Sequence, residues 1–388
     1  MYNFTLSIPT KMHFGKGQVC QLPADIKRYT NRVLMVYGGG SIKRNGVYDD
    51  VCNALRDAGI EWVELSGVSS NPKIESVYEG IRMCREQNLG ALLAVGGGSS
   101  IDCAKAIAGN VFYDGDAWDA IKKHEPQTDK VLPVFCVLTL AATGSEMNRN
   151  AVITNMKENV KTAFCGDSLI PVAAVMDPTY SFTVNKFYTA AGIVDIMSHT
   201  FENYFSRETD AYAHDRLAEG GLLTCIQQGP VAVNEPENYA ARAAIMYISP
   251  WVINGITRAG KSCGWSCHPI EHELSAYYDV CHGAGLAVVT PAWMRHILSD
   301  KTVDKFAEYG VNVWRIDPDK DKFDIANEAI DKTEAFFKSI GMPVTLRELG
   351  ITEKDKFEEM AHNLKDSLGG AYVPMTDKDV LEILEACY

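Results

Sequence analysis

Two apolar runs in the first hundred or so residues end in the same way: "LMVYGGGSIKRNG" at 34–46 and "LLAVGGGSSIDCAK" at 92–105. A strand that breaks on three glycines and resumes as a helix is a β–turn–α unit, and two such units constrain the chain strongly. Around them "IEWVELSGV" reads as a further strand. "NGVYDDVCNALRDAG", "IESVYEGIRMCREQN" and "SIDCAKAIAGN" carry apolar residues at helical spacing. Strand–helix alternation of this kind implies right-handed crossovers and a parallel sheet covered by helices. The segments "VLPVFCVLTL", "AVITN", "VKTAF" and "PVAAVMDP" follow with no helix between most of them, and are expected to add antiparallel strands at a sheet edge. After "DPTYSFTV" the periodicity is helical almost throughout. The expected class is α/β plus all-α: an α/β domain over residues 1–182 and an all-helical domain over 183–388.

Glycine at the strand–helix junction removes the Cβ that would keep a phosphate away from backbone N–H groups, and the helix N-terminus adds partial positive charge. Gly38, Gly39, Gly40 and Ser41 form one such turn; Gly97, Gly98 and Ser99 form the other, with Ser99 or Ser100 expected to cap the helix. A single turn of this type is common in α/β sheets; two at the ends of neighbouring strands point to a ligand. A third turn, "TLAATGSEMN", supplies the polar groups of Thr139, Thr143, Ser145 and Asn148.

The second half carries nearly all the metal-binding chemistry. In "GIVDIMSHTFE", Asp195 and His199 are four apart and share a helix face; "CHPIEHELSAYYDVCHG" supplies His268, His272 and His282. One carboxylate and three imidazoles suit Zn²⁺ or Fe²⁺ and leave a position open for substrate. Cys267 and Cys281 are alternative ligands by chemistry, although neighbours on a helix point about 100° apart, so Cys267 and His268 do not ligate together. Pro269 fits only the first turn of a helix beginning near His268. His268 to His272 also spells H-x-x-E-H, so a metallohydrolase with Glu271 as base stands as an alternative. It leaves the glycine turns and Asp195-x-x-x-His199 unexplained, whereas a metal with a dinucleotide suggests hydride transfer.

A formal charge of −13 argues against nucleic acid or anionic membranes as partners. The longest apolar run is broken by Pro133, the N-terminus has no signal pattern, and eleven scattered cysteines fit reduced thiols. A cytoplasmic protein is expected.

Taken together, "IPTKMHFGKG", "YGGGSIKRNGVYDDV", "AVGGGSSIDCAK", "LTLAATGSEMN", "DPTYSFTV", "HELSAYYDVCHGAGLAVVTPAW" and "YGVNVW" resemble the iron-containing (group III) alcohol dehydrogenase family, nearest its butanol dehydrogenase and aldehyde reductase branch. The resemblance implies a dehydroquinate-synthase-like fold with a Rossmann-like first domain. It implies metal ligation by Asp195, His199, His268 and His282, with His272 as a proton relay. It also implies cofactor contacts from Gly97, Gly98, Ser99, Asp102, Thr139, Leu140, Thr143, Lys161 and Tyr180, and a homodimer. The substrate would be a short- to medium-chain primary alcohol or aldehyde; a non-redox reaction of the dehydroquinate synthase type is a further alternative. Arg149-Asn150 departs from many close relatives, which puts the substrate-pocket lining in doubt. NAD-preferring relatives carry an Asp at the position matching Gly39. Here "GGGSIKR" has no carboxylate and offers Ser41, Lys43 and Arg44, so NADP(H) is expected over NAD(H).

Overall fold

The structure, a computed structural model, describes all residues from 1 to 388. The chain folds into two compact units: Ser7–Val184 with Pro236–Pro250, and Met1–Leu6 with Asn185–Glu235 and Trp251–Tyr388.

The first unit is built on strands β1 (Lys11–Phe14), β2 (Arg32–Tyr37), β3 (Glu61–Leu65), β4 (Ala91–Gly96), β5 (Val134–Leu138), β6 (Asn150–Asn155), β7 (Val160–Cys165) and β8 (Ala173–Met176). Six of them form a wholly parallel sheet in the order β1-β8-β5-β4-β2-β3. Its middle strands are apolar because helices cover both faces: Val33 to Val36 and Leu92 to Val95 have no exposed surface. From β2 the chain steps outward to β3 and then returns to the far side of β2 as β4. The winding therefore reverses between β2 and β4, the place where open α/β sheets bind ligands beyond their carboxyl ends. Register pairs Tyr37 with Val95 and Gly96 with Leu138, so the turns after β2, β4 and β5 emerge together on one sheet edge.

Two expectations are corrected here. The segments "VLPVFCVLTL" and "PVAAVMDP" do not make antiparallel edge strands: β5 and β8 are parallel members of the main sheet, and β5 is fully buried. Only β6 and β7 pair antiparallel, as a separate two-stranded sheet. This hairpin takes the place of a helix in the crossover from β5 to β8, which is why a search for helices between strands misreads the stretch. The serine cap is absent as well. The helix after β4 is Gly98–Asn110, with Gly97 at its N-cap and no side-chain cap, so Ser99 and Ser100 lie within its first turn.

The second unit is helical, and no strand follows β8. Helix Lys186–Tyr204 is capped by Asn185, whose side chain accepts from the Tyr188 N–H; all its residues from Thr189 to Tyr204 are buried. Helix Cys267–Tyr278 places Pro269 in its first turn, where the missing N–H costs nothing. Helix His282–Ile297 follows after Asp279, at φ 50°, has reversed the chain. An added Cβ on Gly283 would lie 2.1 Å from the backbone oxygen of Ala191, so the two helix backbones touch there. No helix of the protein is long and apolar enough to cross a membrane.

Candidate active site

The glycines of the turn after β4 serve close packing. A Cβ on Gly98 would lie 2.4 Å from Thr143 Oγ1 and 3.0 Å from Thr143 Cβ, and one on Gly97 would lie 3.2 Å from Leu140. The turn after β4 is thus laid against the turn after β5. Gly97, Ser99, Thr139, Leu140 and Thr143 remain partly exposed there. Three other candidates spend their polar atoms inside the protein. Asp102 accepts from Ser145 Oγ at 2.6 Å and from the Val152 N–H at 3.0 Å. Asn148 accepts from Lys105 Nζ and the Asn150 N–H and donates to Thr143 O. Tyr180 lies in the core, its hydroxyl 3.0 Å from Asp50. Lys161 stands on β7, near enough to Asp102 to act on it electrostatically.

Sequence reasoning passed over Lys105, which has no exposed surface and ties this turn together. Its ammonium donates to Ser145 Oγ at 2.9 Å, and to Asn148 O and Asn150 O at 2.8 Å each. Burial pushes its pKa down to about 8, and pushes that of the neighbouring Glu146 up to about 7. Arg149 is exposed and paired with Asp167 at 3.0 Å.

At the turn after β2, Gly39 is exposed and nothing lies within 4 Å of an added Cβ. Residues 38–44 contain no carboxylate, but β3 supplies one. Glu64 accepts from Tyr37 Oη at 2.5 Å, from the Tyr48 hydroxyl and from Lys43 Nζ at 3.1 Å. Burial works to raise the Glu64 pKa, yet these donors outweigh it and hold it at about 2. Lys43 is therefore engaged with Glu64, and Ser41 and Arg44 stand beside the pair on the short helix Ser41–Arg44.

In the helical unit, Asp195, His268 and His282 converge from three helices, and His199 lies beside Asp195. Asp195 Oδ1 lies 3.5 Å from His199 Nε2, 3.8 Å from His268 Nε2 and 3.5 Å from His282 Nε2. Ligands about 2.1 Å from a tetrahedral metal sit ~3.4 Å from one another, a spacing that the three distances from Asp195 Oδ1 approach. Asp195 Oδ1 and His268 Nε2 are buried without a hydrogen-bond partner, an arrangement that is costly unless a cation satisfies both. Burial raises the Asp195 carboxyl, but the three imidazoles outweigh it and hold it far below the usual range. Burial lowers His199 to about 3; at His268 burial acts in the same direction, but Asp195 and Glu202 outweigh it and raise the ring to about 9. The donors fit a divalent ion of the Fe²⁺ or Zn²⁺ kind.

The cage is closed at the back and open at one side. His199 and His268 side chains are 5% and 4% exposed, whereas His282 is 22% exposed. His272, half-buried, lies beside the open side with its ring 5.4 Å from that of His282. Cys267 is buried with its thiol against the Thr290 hydroxyl, and Cys281 caps the next helix; neither belongs to the groups of converging ligand atoms.

Two glutamates complete the arrangement. Glu202 Oε1 accepts the His268 N–H at 2.8 Å and faces His268 Nδ1 at 3.1 Å, while Oε2 accepts the Ser266 N–H at 3.0 Å. Glu271, fully buried, holds His282 Nδ1 with one oxygen and the Ser275 hydroxyl with the other. The hydrolase alternative loses its base: a carboxylate so engaged does not activate water at the open side. Sequence reasoning passed over Glu202, which follows Asp195 and His199 on the same helix.

A helical unit with one carboxylate and three imidazoles, in a chain whose sheet edge gathers glycine turns, defines a metal- and dinucleotide-dependent dehydrogenase. The chain belongs to the iron-containing alcohol dehydrogenase family: residues 9–178 match the family model "Iron-containing alcohol dehydrogenase", and residues 189–388 match the model of the family's C-terminal part. It is 52% identical to "NADH-dependent butanol dehydrogenase A" of Clostridium acetobutylicum, with 100% of both chains covered. It is 40% identical to "NADPH-dependent aldehyde reductase YqhD" of Escherichia coli, with 90% of each covered. Among solved structures, the butanol dehydrogenase A of Thermotoga maritima superposes with a TM-score of 0.94 at 37% identity, covering 100% of this chain and 99% of that one. The protein is an oxidoreductase of alcohols and aldehydes that uses NAD(P) and a divalent metal.

Proposed function

We propose that this protein transfers hydride between NADP(H) and short- to medium-chain primary alcohols and aldehydes, with one Fe²⁺ or Zn²⁺ held by Asp195, His199, His268 and His282. The observation that supports the reading is the convergence of Asp195, His268 and His282, with His199 Nε2 3.5 Å from Asp195 Oδ1 and two of these donor atoms buried and unpaired. A divalent ion held there would supply Lewis-acid polarisation of the substrate oxygen, and a bound dinucleotide would supply or accept the hydride.

The chain does the rest. Asp195 is the one charged residue among the ligands, and the imidazoles add no charge. His199 and His268 are buried, and His282 is the more exposed of the three, so substrate is assigned to the His282 side. His272 stands beside that side and is assigned to pass the proton between substrate oxygen and solvent, a task suited to an imidazole. Gly38 to Ser41 and Gly97 to Ser99 are assigned to the dinucleotide phosphates, with Thr139, Leu140 and Thr143 beside them and Asp102, Asn148, Lys161 and Tyr180 supporting the turns.

The names of the relatives divide between NADH and NADPH. NADP(H) is favoured for this chain by the open Gly39, the Ser41 hydroxyl, Arg44, and a Glu64 already held by three donors. Domains of 1–182 and 183–388 follow this division of labour except at Met1–Leu6 and Pro236–Pro250, which each belong to the other compact unit. The resemblance supports a homodimer, and eleven free cysteines support a reducing, cytoplasmic setting. The test is NADPH oxidation with butanal by protein reconstituted without air with Fe²⁺ or Zn²⁺. Turnover that needs the metal supports the reading; equal turnover by metal-free protein, or none with any aldehyde of a chain-length panel, overturns it.

A further inference from the structure

The two buried glutamates behind the imidazoles are not ligands, yet each meets the ring nitrogen that faces away from Asp195. We infer that Glu202 and Glu271 are positioning residues of the metal centre: each fixes one imidazole, His268 or His282, through Nδ1, so that its Nε2 lone pair is aimed at the ion and held there. This inference rests on the metal-site reading above.

A neutral imidazole has two tautomers, and only the one protonated at Nδ1 offers Nε2 to a metal. A carboxylate accepting at Nδ1 selects that tautomer, stops the ring from rotating and makes the nitrogen opposite more basic. Glu202 reaches His268 from helix Lys186–Tyr204, one turn beyond His199, so one helix face supplies a ligand, a second ligand and the anchor for a third. Glu271 reaches His282 from helix Cys267–Tyr278, and the sequence makes space for it. A Cβ on Gly285 would lie 2.8 Å from both Glu271 Cγ and Oε1. "HGAG" at 282–285 thus holds a ligand, a glycine for helix contact and a glycine for the anchoring carboxylate.

The three rings are not held alike. His199 Nδ1 is buried with no hydrogen-bond partner, and its ring is held instead by stacking on His268, with centroids 4.7 Å apart. Burying two more carboxylates is costly, and fixed imidazole N–H groups beside a cation offset that cost. With Asp195 they surround the ion by three negative charges, which strengthens retention of a divalent cation.

The test uses the full chain, stripped of metal and reloaded, with affinity read by chelator competition and geometry by the visible absorption bands of the Co²⁺ form. Glu202→Ala and Glu271→Ala are expected to weaken Co²⁺ binding ~10–100-fold and shift the bands. Glu202→Gln and Glu271→Gln, which keep an oxygen for Nδ1–H but lose the charge, are expected to fall between wild type and alanine. Gly285→Ala, which displaces the Glu271 carboxylate without changing any charge, should weaken binding too. Gln and Gly285→Ala variants that fold, bind Co²⁺ within twofold of wild type and keep its bands overturn the inference. Asp195→Ala is the control: stoichiometric, tight metal in that variant overturns the metal-site reading itself. Should the alanine variants fail to fold, the Gln variants and Gly285→Ala decide.

Discussion

Replacing Gly39 by aspartate tests the dinucleotide assignment at a position where the fold has little to lose. Gly39 is exposed, an added Cβ meets nothing within 4 Å, and its backbone is not in the left-handed region that Gly40 occupies at φ 86°. A new carboxylate there stands beside a turn whose one nearby lysine is already paired with Glu64. A 2′-phosphate carries about −2, and at ~5 Å from a carboxylate in a medium of dielectric ~60 the repulsion is roughly 2 kcal/mol. Salt at physiological strength trims this by less than half over that distance. The ribose hydroxyls of NADH would gain a hydrogen bond worth about 1 kcal/mol. Gly39→Asp should therefore lower the ratio of kcat/KM for NADPH over NADH by ~30-fold or more, with butanal saturating and metal content unchanged. Most of the change should be in KM. A wild-type enzyme that prefers NADH, or a variant whose ratio moves less than threefold, refutes the reasoning.

Asp195→Ala, His268→Ala and His282→Ala should each yield folded protein that loses metal on dialysis, with activity down at least ~10³-fold as both polarisation and orientation vanish; metal analysis beside circular dichroism checks this. His272→Ala should keep most of its metal while kcat falls ~10²-fold or its pH profile shifts, and a metal-free variant would make His272 a ligand. Gly98→Ala should raise the KM for the dinucleotide ~10-fold or more and leave metal content unchanged. The added methyl would lie 2.4–3.0 Å from the Thr143 side chain, and no rotamer of a β-branched residue clears both γ atoms and Cβ.

What could be read from the chain depended on how far apart the interacting residues lie. The parallel core and its glycine turns follow from local chemistry: apolar runs of strand length that end on glycine and restart as helices. Asp195 with His199 is visible because one helix turn joins them. Glu202 was hidden for the opposite reason. On its own helix it looks like one more acidic residue, and its partner His268 comes from 66 positions away. Glu271 was visible but drew a wrong alternative role, since H-x-x-E-H does not say which nitrogen the carboxylate meets. Glu64 reaches Lys43 only because β2 and β3 pair with Met35 beside Glu64, a register that no local pattern specifies. The misplaced β5 and β8 belong to the same class, their neighbours being fixed by the path of a hairpin.

Gly283 touches no metal, no cofactor and no substrate, yet it sets a limit on how this centre can vary. Its α-carbon is the point where one ligand-bearing helix rests on the backbone of another, so close that a methyl group there would lie 2.1 Å from the Ala191 oxygen. A ligand can be exchanged for another donor of similar reach, and a redesign for a different ion could start there. No side chain at all fits at 283 without pushing helix His282–Ile297 outward and carrying His282 with it. A library randomised across 281–285 and selected for metal retention should therefore return more diversity at the histidine than at the glycine beside it, so that the least replaceable residue of the site is the one with no functional group.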